Sequence, residues 1–171
     1  LTPFLRAQTA VGEWSDHLVY STSVDVAVGN GEIFSSTGSS LMVYNRQFDE
    51  VKRLSKINGL SETGIAAIGW SGPTQTLIVA YTSGNIDFIA DNTITNLPDI
   101  ARKNMSIDKI INKIRCLGDY CYLACNFGIA VLDISGNEVL DTWRPGVDGY
   151  YPVINDIAFG GGYVYAATDQ G

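Results

Sequence analysis

The centre of the chain contains three short, mostly apolar segments separated by turn residues: Ile65-Ala-Ala-Ile-Gly-Trp70, Leu77-Ile-Val-Ala80 and, directly after Gly84, Asn85-Ile-Asp-Phe-Ile89. Segments of this length, rich in β-branched and aromatic residues and bounded by Gly, Pro and Ser, are typical of antiparallel strands joined by tight turns. The same order of strands and turns occurs before and after this stretch. This recurrence indicates an internal repeat.

Three kinds of residue recur with one period. A turn position holds, at spacings of 44, 44 and 43 residues, Ser40, Gly84, Gly128 and Gly171. A small residue stands four positions before each of them: Ser36, Ala80, Ala124 and Ala167. A large residue stands six positions before each of them: Phe34, Ile78, Tyr122 and Tyr165. Glycine at the turn position permits a positive φ, and the small residue allows neighbouring sheets to approach closely.

The period predicts the fold. A weaker fourth strand follows the three clear ones, around residues 51–54, 93–96 and 138–143. Four antiparallel strands in roughly 44 residues is the size of one β-propeller blade. Because blades pack face to face, both faces of a strand are buried, which explains continuous apolar runs such as Leu77-Ile-Val-Ala80. A β-sandwich does not require so strict a repeat. We therefore predict an all-β propeller of four-stranded antiparallel blades.

The same period predicts how the chain is divided. We expect full blades at about 24–62, 63–108 and 110–149, and half a blade at 153–171. A propeller has about four to eight blades, and terminal repeats need neighbours to bury their faces. We therefore expect an incomplete propeller that belongs to a larger one. On its own, the chain should be poorly soluble or self-associate.

Composition excludes several classes of protein. The 171 residues are 46% apolar and 17% charged, with a formal net charge of -7 and only 11 Lys and Arg residues. Such acidity argues against nucleic-acid binding, and no apolar run approaches the ~18 residues of a membrane span. The sequence has no CxxC pair and no calcium loop, and its single histidine, His17, has no recognisable catalytic partner. We predict no enzymatic activity, no metal and no cofactor.

The N-terminal residues differ from the repeats. Residues 1–12 begin with an apolar stretch followed by small residues, which resembles the tail of a secretory signal peptide cleaved after Ala7 or Ala10. An ordinary disordered lead explains the same residues equally well. Both interpretations stay open.

Two of the three cysteines flank the dipeptide Gly118-Asp119. A two-residue hairpin loop there pairs Leu117 with Tyr120 and Cys116 with Cys121. Directly opposed residues are the closest cross-strand neighbours, so a Cys116–Cys121 disulfide fits an oxidising compartment. The alternative is that both cysteines are small buried apolar side chains.

The first candidate for a contact loop is the longest segment rich in Gly, Pro and aromatic residues, Trp143-Arg-Pro-Gly-Val-Asp-Gly-Tyr-Tyr-Pro152. Four of its residues are candidates for binding a protein partner or a glycan: Trp143, Arg144, Tyr150 and Tyr151. With Trp14 and Trp70, its aromatic residues could form a glycan platform. Packing between blades is the simpler explanation of aromatic residues in a repeat protein.

Two sets of charged residues also have both a functional and a structural explanation. The basic residues Arg102, Lys103 and Lys109, continued by Lys113, could touch anionic lipopolysaccharide, although a solvated linker explains them more simply. Five aspartates near strand ends could bind a cation or sugar hydroxyls, although turn chemistry and edge protection are the simpler explanation: Asp25, Asp87, Asp133, Asp156 and Asp169.

One motif links the repeats to a known group. Asn58-Gly-Leu-Ser61, followed by Gly64-Ile-Ala-Ala-Ile68, resembles the core of two-component regulator propeller repeats, in which Asn-Gly-Leu-Ser joins two blades. The next strand departs from that pattern, because Leu77-Ile-Val-Ala80 replaces the usual Trp-Ile-Gly-Thr.

A longer series of motifs is similar to the N-terminal propeller of PorZ-like proteins: Trp14-Ser-Asp-His-Leu18, Leu54-Ser-Lys-Ile-Asn-Gly-Leu-Ser61, Tyr81-Thr-Ser-Gly-Asn-Ile-Asp87, Ile94-Thr-Asn-Leu-Pro-Asp-Ile100, Phe127-Gly-Ile-Ala-Val-Leu-Asp133 and Tyr165-Ala-Ala-Thr-Asp169. This resemblance implies a periplasmic or surface component of the type IX secretion system of Gram-negative bacteria. It also implies that a lead strand at 13–20 begins the propeller, and that further blades, a β-sandwich and a C-terminal secretion signal follow downstream.

The sequence thus predicts a non-catalytic, secreted propeller that serves as a scaffold or interaction module in protein export. Its expected partners are other secretion-system proteins, the rest of its own propeller, and a glycan or lipopolysaccharide. The main alternative is the periplasmic, oligosaccharide-sensing propeller of a hybrid two-component regulator. A propeller glycosidase or lyase would need an acid/base pair that the sequence does not identify.

Overall fold

Fourteen β-strands form four antiparallel sheets in the computed structural model, which describes residues 18, 20–146 and 150–171. The signal-peptide tail predicted at 1–12, almost all of the lead strand predicted at 13–20, Trp14 and His17 lie outside the described residues. In chain order the strands are β1 (Asp25–Gly29), β2 (Glu32–Ser36), β3 (Leu41–Asn45), β4 (Glu50–Leu54), β5 (Ile65–Ser71), β6 (Thr76–Tyr81), β7 (Ile86–Ala90), β8 (Thr93–Leu97), β9 (Ile111–Leu117), β10 (Tyr120–Cys125), β11 (Gly128–Asp133), β12 (Glu138–Trp143), β13 (Ile154–Gly160) and β14 (Tyr163–Thr168).

Each sheet is a meander in which consecutive strands pair. Three sheets have four strands, in the orders β1-β2-β3-β4, β5-β6-β7-β8 and β9-β10-β11-β12, and the fourth sheet pairs β13 with β14. We number these sheets blades 1 to 4. The prediction of an all-β propeller with four-stranded antiparallel blades, incomplete in this chain, is confirmed. A 3-10 turn (Lys56–Asn58) follows blade 1, and a short helix, α1 (Asp99–Arg102), follows blade 2.

The first strand of each blade contacts the first strand of the next, β1 with β5, β5 with β9 and β9 with β13. The hydrophobic core is therefore divided among the junctions between blades. One cluster joins blades 1 and 2, a second joins blades 2 and 3, and a third joins blades 3 and 4. This arrangement explains why all six residues of β6 are buried, because β6 has a neighbouring blade on each face.

The recurring large residue packs against the first strand of the following blade. Phe34 stacks on Trp70 with ring centroids 5.4 Å apart, and Tyr122 meets Phe159 edge-on at 5.0 Å. Ile78 packs in the same cluster as Cys116. The structure thus places Trp70 between two blades, which is the packing explanation rather than the glycan-platform explanation of this side chain.

Small residues let these junctions close. Ser36, Ala80 and Ala124 are fully buried at equivalent positions of blades 1, 2 and 3. Gly69 lies so close to the next blade that an added Cβ would overlap the side chain of Ile114. Even one methyl group would therefore force the two blades apart.

The turn position has a positive φ in three blades and differs in the first. Gly84, Gly128 and Gly171 have φ angles of 82°, 120° and 114°, which glycine adopts without steric cost. In blade 1 the positive φ, 85°, belongs to Gly38, two residues before Ser40. Ser40 is buried, and its hydroxyl lies 2.7 Å from the hydroxyl of Thr37. Blade 1 therefore has a hydrogen bond between two side chains at the turn where the other three blades have glycine.

Candidate functional site

The Asn58-Gly-Leu-Ser61 motif forms the turn that connects blade 1 to blade 2. The Asn58 side chain accepts from the amide of Ser55 and donates to the carbonyl of Arg53 at 2.8 Å. Gly59 has a φ of 137°, and Leu60 is buried. These contacts turn the chain out of one blade and into the next.

The last residue of that motif binds a buried carboxylate, Asp87, on β7. Asp87 accepts hydrogen bonds from the Ser61 amide at 2.8 Å, the Ser61 hydroxyl at 2.7 Å and the Tyr81 hydroxyl at 2.6 Å. The Asn96 amide donates a fourth at 2.9 Å. Burial, reinforced by the bond to Asp87, raises the pKa of Tyr81 far above its ordinary value. The acceptor capacity of Asp87 is thus occupied by protein donors.

A second set of charged residues lies on the first strands of the blades. Lys113 of β9 approaches Asp25 of β1 at 2.6 Å, and the other oxygen of Asp25 accepts from the amide of Ile68 on β5. Arg115 of β9 makes a two-point contact with Asp156 of β13, at 3.0 and 2.8 Å. These ion pairs connect blade 3 with blades 1 and 4.

Pairing in the sheets explains why these residues meet. Asp25, Lys113 and Asp156 are register-equivalent, because each is paired with the small residue of its own blade. The bond to Arg115 holds the pKa of the Asp156 carboxyl below its ordinary value, and the same bond raises the pKa of Arg115. Asp25, Lys113 and Asp156 were all candidate residues in the sequence, but their pairing was not predicted. Aligning the first strands of the repeats would have placed them in one position.

The remaining predicted aspartates also have local partners. Asp133 accepts from the amide of Gly136 at 2.9 Å within a turn. Asp169 accepts from the Tyr150 hydroxyl at 2.6 Å and from the amide of Val153 at 3.2 Å. Asp133 and Asp169 therefore have the turn role that the structural explanation gave them. Asp25, Asp87 and Asp156 instead lie on strands and bind residues of other strands or blades. Among residues 18, 20–146 and 150–171, no group of three His, Cys, Asp or Glu side chains is arranged to hold a metal ion.

The predicted contact loop divides into two parts with different surroundings. Trp143 packs against Tyr122 and donates from its indole nitrogen to Asp141 at 2.8 Å. Arg144 lies over the ring of Tyr151, 5.0 Å from the centroid, and Tyr151 is 39% exposed. Residues 147–149 of the loop lie outside the described residues. Trp143 is therefore partly a packing residue, whereas Arg144 and Tyr151 form an accessible stacked pair.

Tyr150 is not part of the Arg144–Tyr151 pair and instead contacts Asp169. The hydrogen bond that its hydroxyl donates to Asp169 raises the pKa of Tyr150. Because Asp169 lies just after β14, this bond ties the loop to blade 4. Tyr150 remains 41% exposed.

A groove runs beside the Arg144–Tyr151 pair, between β12 and the linker that begins with α1. Its main cavity has a volume of about 480 Å³, and a smaller adjoining cavity reaches Tyr151. We call this the linker groove. Its apolar lining comes from Met105, Phe127 and Val139, and its charged lining from Asp99, Lys103, Asp141 and Arg144.

The basic stretch does not form one patch. Lys109 donates to the carbonyl of Ala101 at 2.6 Å, and Lys113 is paired with Asp25. Arg102 and Lys103 are exposed, and Lys103 borders the linker groove. The groove could not be predicted as one site, because its residues belong to two separate segments, the basic linker and the contact loop. These segments come together only in the folded chain.

The predicted hairpin around Gly118-Asp119 is present. Leu117 pairs with Tyr120 and Cys116 with Cys121, and the two sulfurs are joined in a disulfide. The third cysteine, Cys125, is buried as a free thiol, and burial raises its pKa to about 12. In the described part of the chain, no helix is long and apolar enough to cross a membrane.

Comparison with solved structures supports the fold. The PorZ protein of Porphyromonas gingivalis, described as an essential surface component of the type IX secretion system, is 26% identical with a TM-score of 0.70. The match covers 79% of this chain and 18% of PorZ. The extracellular domain of a putative hybrid two-component system from B. thetaiotaomicron is 14% identical, with a TM-score of 0.65, over 86% of this chain and 20% of that one.

A computationally designed protein, Ika4, has a TM-score of 0.67 at 13% identity, over 92% of this chain and 91% of its own. At such low identities, the designed protein and the two-component domain show the fold alone. No curated protein matches the sequence. The family model for the N-terminal β-propeller domain of PorZ, of the type IX secretion system, matches residues 33–171. The chain therefore belongs to the family of PorZ N-terminal β-propeller domains.

Proposed function

We propose that this chain is a non-catalytic interaction module of type IX protein secretion, acting in the periplasm or at the cell surface. Its membership of the PorZ propeller family is the single observation on which this proposal rests. The chain spans 18% of the PorZ protein it resembles. The activity and partners of the longer protein therefore enter here only as part of the proposal.

Features of the structure support a binding role over a catalytic one. Asp87, Asp25 and Asp156 are each engaged by protein donors, so none of them is poised as a free acid or base. The linker groove combines apolar and charged side chains with the exposed Arg144–Tyr151 pair, a composition typical of protein contact surfaces. The Cys116–Cys121 disulfide supports an oxidising compartment outside the cytoplasm.

The linker groove gives this proposal a test. In cells that lack the native protein, the full-length protein carrying Arg144→Glu or Tyr151→Ala should restore less cargo secretion than wild type. Cross-linking to other secretion-system proteins should fall in parallel. Tyr120→Ala is a matched control, because Tyr120 and Tyr151 are both 39% exposed and Tyr120 lies on the distant β9–β10 hairpin.

The possible results distinguish the role of the linker groove from the proposed role of the protein in secretion. Normal secretion and cross-linking in both groove variants would remove the linker groove from the proposal. Normal secretion in cells that lack the protein altogether would overturn the secretion role itself. If Tyr120→Ala reduced secretion as much as the groove variants, the effect would not be specific to the linker groove, and the groove would be removed from the proposal.

Oligosaccharide sensing, as in a hybrid two-component regulator, is the second candidate. The stacked Arg144–Tyr151 pair beside Asp99, Asp141 and Thr142 has the mixture of aromatic and polar groups that sugars bind. Calorimetric titration with bacterial oligosaccharides tests this candidate. Binding that is lost in Tyr151→Ala and kept in Tyr120→Ala would favour it over the protein-contact function.

A further inference from the structure

The outer strands of the blades differ in how their free edges are protected. In blades 1, 2 and 3 the outer strands are β4, β8 and β12, and in the described sheets each is paired on one side alone. β4 contains three charged residues, and β12 contains two charged residues together with a register shift opposite Val131 and Leu132. Charges and bulges of this kind prevent a foreign strand from pairing with an exposed edge.

β8 has neither kind of protection. Its sequence, Thr93-Ile-Thr-Asn-Leu97, contains no charged residue and is rich in β-branched side chains, and its register with β7 is unbroken. Thr93, Thr95 and Asn96 are exposed. Blade 2 has a neighbouring blade on each side in the described chain, so β8 is open at its outer edge and does not border a missing junction.

The turn before β8 determines which of its backbone groups are free. The dipeptide Asp91-Asn92, with φ angles of 48° and 62°, forms a two-residue turn of the kind that joins antiparallel strands. Such a turn is closed by a hydrogen bond between its flanking residues, here Ala90 and Thr93. Inward-bonded and outward-facing residues then alternate along the strand. The amide and carbonyl groups of Ile94 and Asn96 therefore point away from β7 and are available to an added strand.

A cavity of about 350 Å³ lies beside this edge, between blade 2 and the β11–β12 turn of blade 3. We call it the edge cavity. The buried side chains of Phe88 and Ile134 form the apolar part of its lining, and Thr93 and Thr95 of β8 also line it. Thr95 is paired with Phe88 and Thr93 with Ala90, so both threonines lie on one face of the sheet. A strand added to β8 would place the side chains opposite Thr93 and Thr95 on that same face, towards the edge cavity.

The charge of the edge cavity comes from Asp91. Among the described residues that line this cavity, Asp91 is the one charged side chain, and it has no ion-pair partner in the described part of the chain. Lys52 of blade 1 donates to the neighbouring Asn92 at 2.7 Å. Asp91 adjoins the Thr93 end of β8, whereas the apolar lining lies at the Thr95 end. The edge cavity therefore favours a cationic side chain at one end and an apolar side chain at the other.

We propose that β8 binds an extended peptide segment of a partner protein as a fifth, antiparallel strand of blade 2. An apolar side chain of the peptide lies opposite Thr95, and a lysine or arginine two positions later lies opposite Thr93, beside Asp91. In this kind of recognition, main-chain hydrogen bonds provide affinity and alternate side chains provide specificity. The edge cavity shares no lining residue with the linker groove, so this contact does not rest on the proposed secretion function.

Fluorescence anisotropy of the full-length protein with a labelled peptide, Ser-Thr-Leu-Thr-Lys-Thr-Ser, tests the proposal. In antiparallel pairing the leucine lies opposite Thr95 and the lysine opposite Thr93. The two threonines that flank the leucine then lie opposite Asn96 and Ile94. We expect saturable binding, and N-methylation of those two peptide threonines should weaken it by on the order of 10-fold, because it removes two main-chain donors and keeps every side chain.

Two variants of the protein test the site itself. Thr95→Lys places a positive charge on the open edge and next to the peptide lysine, and should weaken binding by on the order of 10-fold. Asp91→Asn removes an exposed ion pair and should weaken binding about threefold. Asp119→Asn is the matched control and should bind like wild type, because Asp119 is also an exposed hairpin aspartate. Far-UV circular dichroism checks that every variant is folded.

Several results would overturn the proposal. These are no binding of the unmodified peptide, equal binding of the N-methylated peptide, normal binding by a folded Thr95→Lys protein, and an effect of Asp119→Asn equal to that of Asp91→Asn. Sedimentation velocity without peptide tests the other occupant, a second copy of the chain. If wild type self-associated and Thr95→Lys abolished this association, β8 would pair with β8 of another copy, and the peptide proposal would be wrong.

Discussion

The buried carboxylate of Asp87 joins the first inter-blade linker to blade 2. It binds both the amide and the hydroxyl of Ser61, and it also accepts from Tyr81 and Asn96. A buried donor left without an acceptor costs roughly 1–3 kcal/mol. A single side chain therefore provides acceptors for the buried Tyr81 hydroxyl and for the half-buried amide and hydroxyl of Ser61, where blade 1 is connected to blade 2.

Replacing this carboxylate should be strongly destabilising. We expect Asp87→Ala to lower the free energy of unfolding by about 2–4 kcal/mol, because it leaves the buried Tyr81 hydroxyl and the half-buried Ser61 amide without their acceptor. Urea denaturation measures the loss. Asp119→Ala, in an exposed hairpin turn, should change stability by less than about 0.5 kcal/mol. Equal effects of the two substitutions would contradict the role assigned to the Asp87 network.

At the scale of elements, the β9–β10 hairpin is closed by the Cys116–Cys121 disulfide. The loop between the cysteines is short, so the chain-entropy model gives a stabilisation of only about 2 kcal/mol. Disulfides of this kind persist in oxidising compartments and are rare in the cytosol. Cys125 serves as an internal control, because it is buried as a free thiol.

Protein purified from the bacterial envelope should therefore have one disulfide. Without reductant and under native conditions, we expect no alkylation at Cys116 or Cys121. Cys125 should react only after unfolding, because burial raises its pKa to about 12 and hides the thiol. Peptide mass spectrometry reads all three sites. Native alkylation of both Cys116 and Cys121 would exclude the bridge.

The contact between β9 and β13 should respond to acid. The bond to Arg115 lowers the pKa of Asp156 from its ordinary value of 3.8, so this pair stabilises the fold above that pH and is lost as pH falls through the lowered value. Both side chains are nearly half exposed, so we expect Asp156→Asn to cost at most about 1 kcal/mol at pH 7.

That cost should shrink as pH falls below 3.8 and through the lowered pKa of Asp156, where the wild-type carboxyl takes up a proton. Thermal unfolding of both proteins across the acid range measures the difference. Asp119→Asn, at an exposed site, should show no such convergence with wild type. A cost for Asp156→Asn that stayed constant with pH would indicate that packing, rather than the ion pair, supports this junction.

At the scale of the whole molecule, stability should follow the blade junctions. Proteins built from repeats are stabilised by each unit and by its contacts with immediate neighbours. Every residue of β6 is buried between two blades, whereas β14 is largely exposed. Hydrogen exchange in the 171-residue chain should be slowest in β6 and fastest in β14. Uniform protection across all four sheets would contradict a stability gradient.

The sequence was sufficient for everything that depends on periodicity along the chain. The recurrence of Phe34, Ile78 and Tyr122 predicted the blades, and glycine at Gly84 and Gly128 predicted turns with positive φ. The cross-strand partners of Cys116 and Leu117 followed from a two-residue loop. These features are local, because strand alternation and turn geometry are determined by neighbouring residues.

Contacts between blades could not be predicted from the periodicity of the sequence. Lys113 meets Asp25 across 88 positions of sequence, and the linker groove brings Lys103 beside Arg144 from separate segments. In the first blade, the positive φ belongs to Gly38, outside the repeating turn position, and the hydroxyl of Ser40 at that position lies 2.7 Å from the hydroxyl of Thr37. The sequence by itself determined the repeating unit, its strands and the fold class. Only the tertiary structure decided which side chains face each other, because that depends on how neighbouring blades pack.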